Sequence, residues 1–119
     1  TQCIAVFGNS TTDRIGVYIS PEGALFTRIR ESDDPYDTPT FVVSEGDSAK
    51  IALSFSDGGI SHFSVNGASK SNVGTKLPAV STFSAGASYD GGLPCAANIT
   101  TVMYVPIPLT LSEIDEETA

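Results

Sequence analysis

This chain contains no tryptophan, a single histidine, two cysteines and only six basic residues in 119. Each shortage removes a class of function. Without an indole, the best candidates for a platform that stacks on a sugar ring are tyrosines. One histidine and two cysteines cannot complete the four-ligand set of a structural zinc site. Fourteen acidic residues against six basic ones leave a formal charge of −8. That balance opposes binding to a phosphate backbone, which rests on neutralising lysines and arginines. An anionic membrane surface is disfavoured on the same ground. No run approaches the roughly 18 apolar residues that span a bilayer as a helix. The charged share is 17%, against about 25% in an average globular domain, so Ser, Thr and Gly supply the missing polarity. Such a balance is common in extracellular and virion β-proteins.

The length predicts one domain with a genuine core. The chain starts at Thr1 rather than Met and shows no signal peptide, so we expect a processed chain or a fragment of a longer one. Period-two alternation dominates, and helical periodicity is nearly absent. Ile15, Val17 and Ile19 alternate with Gly16 and Tyr18, which predicts a half-buried strand over 14–20. The turn Ser20-Pro21-Glu22-Gly23 leads to its antiparallel partner over 24–30. Residues 31–39 read as an acidic loop whose prolines, Pro35 and Pro39, rule out a central strand. Short strands follow over 40–44 and 50–56. Asp57-Gly58-Gly59 then turns into a strand over 60–65, with Ser61, Phe63 and Val65 on one face and Ile60, His62 and Ser64 on the other. Asn66-Gly67 is a strong hairpin signal, because both residue types accept positive φ.

Beyond that hairpin, 69–78 reads as a polar loop or weak strand and 79–85 as a strand. Residues 88–97 form a Gly-rich loop, and 99–107 the last strand. Thr110 and Glu113 match a capping box that opens a short acidic helical turn. About eight strands with Gly and Pro turns predict an all-β antiparallel sandwich. Cys3 and Cys95 leave two readings open. One is a disulfide tying the first strand to the loop before the last strand, worth about 4–5 kcal/mol in the chain-entropy model before strain is counted. The other is a pair of buried free thiols, as a reducing compartment would keep them.

Three segments carry a family resemblance. Lys50-Ile-Ala-Leu-Ser-Phe-Ser-Asp-Gly-Gly-Ile-Ser-His-Phe-Ser-Val-Asn-Gly67 is an adjoining strand pair ending in an Asn-Gly turn. Thr82-Phe-Ser-Ala-Gly86 follows a proline-led loop. Ile99-Thr-Thr-Val-Met-Tyr-Val-Pro-Ile-Pro-Leu-Thr-Leu-Ser-Glu-Ile114 closes the chain. In this order they resemble the concanavalin A-like, laminin-G-like jelly roll, particularly the versions in bacteriophage virion and fibre proteins. Asp13-Arg14-Ile15-Gly16-Val17-Tyr18 fits an earlier strand of the same family. That family usually has further N-terminal strands, which this chain is expected to lack. The resemblance implies a jelly roll located in a virion or outside the cell. It also implies either assembly with other virion chains or with itself, or attachment to a host-surface glycan.

Several residues are candidates for chemistry. Some concanavalin A-like hydrolases carry a Glu-x-Asp-x-x-Glu strand, and Glu113-Ile-Asp115-Glu116-Glu117-Thr118 starts that way. Its last position is Thr118, and it lies in a capped terminal turn, whereas paired carboxylates must face each other across a sugar. His62 has no Gly-x-Ser-x-Gly elbow to serve and reads as a surface imidazole. Asp33, Asp34 and Asp37 beside Tyr36 could offer oxygens to calcium, or could simply form a solvated loop. No other cofactor is implied. Tyr18, Tyr36, Tyr89 and Tyr104 are the candidates for sugar stacking. Gly86-Ala-Ser-Tyr89-Asp90-Gly-Gly92 reads either as a recognition loop on a rigid sandwich or as mere cover. Asn9-Ser-Thr11 and Asn98-Ile-Thr100 are glycosylation sequons, without meaning in a phage protein. The expectation is therefore a non-catalytic virion structural, assembly or attachment module, binding neither nucleic acid nor membrane. The alternative is an extracellular lectin-like domain using Asp34, Tyr36, Asp37, Tyr89 and Asp90.

Overall fold

Every strand in the fold pairs antiparallel with its neighbours. The computed structural model describes residues 1–8, 10–35, 40–43, 46, 48–73, 76–80, 82–88, 90–96, 99 and 109–119. In chain order the elements are β1 (Gln2–Gly8), β2 (Arg14–Ile19), β3 (Ala24–Glu31), β4 (Asp34–Pro35), β5 (Phe41–Val42), β6 (Ile51–Ser54), β7 (Ser61–Val65), β8 (Ala68–Asn72), β9 (Phe83–Ala85) and α1 (Leu111–Thr118). The larger sheet has the order β4-β3-β2-β1-β9, with β5 also pairing to β3; the smaller is β6-β7-β8.

Alternation along β2 sets the layers. Val17 and Ile19 join Leu25, Ile4 and Phe41 of the larger sheet and Phe63, Val65, Ile51 and Leu53 of the smaller in one apolar core. The two sheets therefore face each other in a sandwich-like arrangement. Burying a side chain such as Phe63 or Leu25 contributes about 1.5–3 kcal/mol. Cys3, Val6 and Tyr18 form a second cluster on the opposite face of the larger sheet, with Phe26 packed against it. A bulge between Cys3 and Ala5 shifts the β1–β2 register. It lets Ile4 turn to the main core while Cys3 stays on the far face.

Turns explain most of the chain reversals. Asn66 and Gly67 sit at φ of 51° and 86°, the two-residue turn with both φ positive that matches strand twist. Within the expected loop over 31–39, residues 31–35 form a hairpin instead, and 36–39 lie outside the described residues. Ser32 and Asp33 have φ of 48° and 69° and close a tight hairpin in which Glu31 pairs with Asp34. The Asp13 carboxylate accepts the Ser32 N–H at 3.0 Å, and the Asp33 N–H donates to the Thr12 carbonyl at 2.9 Å. Pro35 is accommodated because β4 lies at a sheet margin. The polar 69–78 stretch yields a strand over Ala68–Asn72, and the strand expected over 79–85 narrows to Phe83–Ala85. Apart from Ile99, the last strand expected over 99–107 lies outside the described residues.

The C-terminal turn is a docked helix rather than a solvated end. Its capping box forms as expected: the Glu113 N–H donates to Thr110 Oγ1 at 3.3 Å, and the Thr110 N–H to Glu113 Oε1 at 3.1 Å. Eight residues are too few to hold a helix alone, so tertiary contacts must do it. Ile114 and Thr118 are buried under α1. Ser64 Oγ donates to Asp115 Oδ1 at 3.0 Å, so its 2.6 Å bond with Thr118 uses the threonine proton. Thr118 Oγ1 in turn accepts the Gly67 N–H at 2.9 Å. Lys50 Nζ donates to the Ala119 oxygen at 2.9 Å. The helix thus covers the smaller sheet on the side away from the sandwich core.

Candidate functional site

Asp34 and Asp90 do not converge. Asp34 lies in β4 at one margin of the larger sheet, and Asp90 follows β9 at the other. Four inter-strand steps put these margins about 19 Å apart. They are also at opposite ends of the strands. Pro35, next to Asp34, lies in the row that runs through Arg30, Arg14 and Gly8. The Asp90 loop instead reaches Cys3, whose N–H donates to the Leu93 carbonyl at 2.9 Å. Tyr36, Asp37, Tyr89 and Tyr104 lie outside the described residues, as do Asn9 and Asn98 of the sequons.

Several described candidates are held in local structural roles. Asp90 Oδ1 accepts the Gly92 N–H at 2.9 Å, and the Ser88–Gly92 backbone closes on itself through bonds of 2.7 and 2.9 Å. His62 Nδ1 pairs with Ser71 Oγ at 2.6 Å across β7 and β8. Glu113 is occupied in the helix cap and Asp115 by Ser64. Hydrogen bonds from the Thr110 backbone and side chain hold the Glu113 carboxyl below its ordinary range. Among the described residues, no three His, Cys, Asp or Glu side chains come together as a metal set would require.

Tyr18, a stacking candidate in the sequence, is fully buried, so its ring offers no face to a ligand. The ring lies close over Gly16, where a Cβ would meet Tyr18 Cε2 at 2.9 Å. Phe26 stacks beside it with centroids 5.6 Å apart. The guanidinium carbons of Arg14 and Arg28 stand 5.7 and 5.2 Å from the Tyr18 ring centre. Among the described residues, Tyr18 Oη and Arg14 Nε are buried without a hydrogen-bond partner. Burial pushes the Tyr18 hydroxyl pKa up, partly offset by the Arg14 charge. Burial likewise raises the Cys3 thiol, and neither Cys3 nor Cys95 is bonded.

The feature that sequence reasoning understated is the outer margin of β8. Among the described strands, β8 pairs only with β7. A two-residue turn makes Val65–Ala68 a hydrogen-bonded pair, so alternation makes Ser64–Ser69 and His62–Ser71 non-bonded pairs. The main-chain N–H and C=O groups of Ser69 and Ser71 consequently point away from β7. Lys70, which could blunt such a margin, is drawn off it. Its Nζ donates to the Thr40 carbonyl and lies 4.5 Å from the Phe41 ring centre. Phe41 meets Phe63 edge-on at 5.6 Å. Val42 and Val73 are exposed at 82% and 71%. A signal for this margin was present in the polar Ala-Ser-Lys-Ser-Asn run directly after Asn66-Gly67. Comparison with protein-family models, curated proteins and solved structures returns no match to this chain.

Proposed function

We propose that this chain is a non-catalytic assembly module that adds a strand from a second copy of itself to β8. The observation that carries the reading is the row of outward main-chain groups at Ser69 and Ser71. A strand margin with no partner among the described strands is a ready template for another strand. The side chains there are small, and Lys70 is tied to Thr40 and Phe41 rather than standing guard. As a finer fold we propose the concanavalin A-like jelly roll, and as a setting a phage fibre, spike or capsid-decorating protein. Support for both of these comes from the residues that carry the sequence resemblance.

The lectin-like alternative asked for Asp34 and Asp90 to line one groove, and their places on opposite margins of the larger sheet favour assembly instead. Ser71→Pro tests the proposal. The Ser71 N–H takes no part in the β7 ladder, so proline removes an outward donor while leaving the hairpin bonds intact. Ser71→Ala is the matched control, since both substitutions delete the hydroxyl that pairs with His62. Self-association that survives in Ser71→Ala and disappears in Ser71→Pro supports the reading.

A further inference from the structure

The segment after β9 is laid along the first residues of β1 by three hydrogen bonds, and a fourth folds it back on itself. The Cys3 N–H donates to the Leu93 carbonyl at 2.9 Å, and the Ala96 N–H donates to Gln2 Oε1 at 2.9 Å. Residues on both sides of Cys95 are thus fastened to Cys3 and its neighbour. The Gly86 N–H donates to the Ile4 carbonyl at 2.7 Å, and the Cys95 N–H to the Gly86 carbonyl at 2.8 Å. The chain's only two cysteines, far apart in sequence, are thereby brought to one corner of the larger sheet. Both are free thiols; Cys3 is buried and Cys95 half-buried.

We propose that Cys3 and Cys95 form a thiol–disulfide exchange site whose substrate is a low-molecular-weight disulfide such as oxidised glutathione. Electrostatics agree with the geometry: a negative charge at Cys95 raises the Cys3 thiol further, adding to the larger effect of burial. Cys95 is the more accessible sulfur and reacts first. Its thiolate attacks one glutathione sulfur, the glutathione S–S bond breaks, and one glutathione leaves as thiolate to take up a proton. Cys3 then loses its proton and attacks the Cys95 sulfur, and the second glutathione leaves. The balance is two protein thiols oxidised and one glutathione disulfide reduced to two thiols. Closure staples the post-β9 segment to β1 and closes residues 3–95 into one loop. In an oxidising compartment the closed form is the resident one. The exchange site is independent of the β8 margin, since it lies on the other sheet.

The test treats the full chain with oxidised glutathione and follows intact mass, thiol titration in denaturant and melting temperature. The expected product is a monomer two hydrogens lighter, with no titratable thiol and no retained glutathione. Its melting temperature rises by on the order of 10 °C and returns on reduction. Cys3→Ala should stop at one glutathione held on Cys95, and Cys95→Ser should show neither closure nor a rise in melting temperature. Two persistent thiols, a stable glutathione adduct or a disulfide-linked dimer in the natural chain would each overturn the proposal. Mass and thiol counts are read on the natural chain, so the test stands even where a variant fails to fold.

Discussion

Thr118→Val puts the docked helix to its hardest test. Valine keeps the shape of a side chain that is 1% exposed but removes one hydroxyl with two jobs. That hydroxyl supplies the proton shared with Ser64 Oγ at 2.6 Å and accepts the Gly67 N–H at 2.9 Å. The substitution leaves the Gly67 N–H without its acceptor and Ser64 with one bond fewer. Each buried group stranded in this way costs about 1–3 kcal/mol. Partial solvation of Gly67, which is half-buried, trims the sum, so the expected loss is about 2 kcal/mol. Urea unfolding followed by circular dichroism should show a lower midpoint with an unchanged slope. The double variant with Ser64→Ala should lose less than the two single losses added, by about 1 kcal/mol, because the groups share one network. A loss below about 0.5 kcal/mol with strictly additive effects would refute the claim that the acidic tail is a structural clamp.

Other consequences concern neighbouring groups. Glu113 has a depressed pKa in the folded chain, so the unfolded chain binds its proton first as pH falls. The cap contribution is therefore complete above the ordinary glutamate range and lost as pH drops through the folded value. Amide exchange in α1 should quicken there, and Glu113→Gln, which removes the titrating carboxyl, should abolish that pH step. Tyr18→Phe deletes a buried hydroxyl with no hydrogen-bond partner among the described residues. It should leave stability unchanged or raise it by up to about 1 kcal/mol, and a loss beyond about 1 kcal/mol in chemical unfolding would contradict the described environment.

How much of this was legible in the sequence depends on the range of the interaction. Asn66-Gly67, the Ile15–Val17–Ile19 alternation and the Thr110/Glu113 cap are set within a few residues, and each appears where the pattern placed it. The Ser32–Asp33 hairpin was not legible, because neither residue is a glycine and the turn is held by Thr12 and Asp13 on another strand connection. Docking of α1 depends on Ser64 meeting Thr118, which no local pattern encodes. Burial of Tyr18 was missed for a different reason: alternation marks an outward face but not what covers it. Nor could composition reveal that Asp34 and Asp90 belong to opposite margins, since strand order alone decides this.

The central claim is assembly through the outer margin of β8, which has no partner among the described strands, and sedimentation velocity across a concentration series tests it most directly. Natural chain and Ser71→Ala should both shift to larger species as concentration rises, while Ser71→Pro stays monomeric with an unchanged circular dichroism spectrum. A natural chain that remains monomeric throughout, or a folded Ser71→Pro that associates as well as Ser71→Ala, would contradict it.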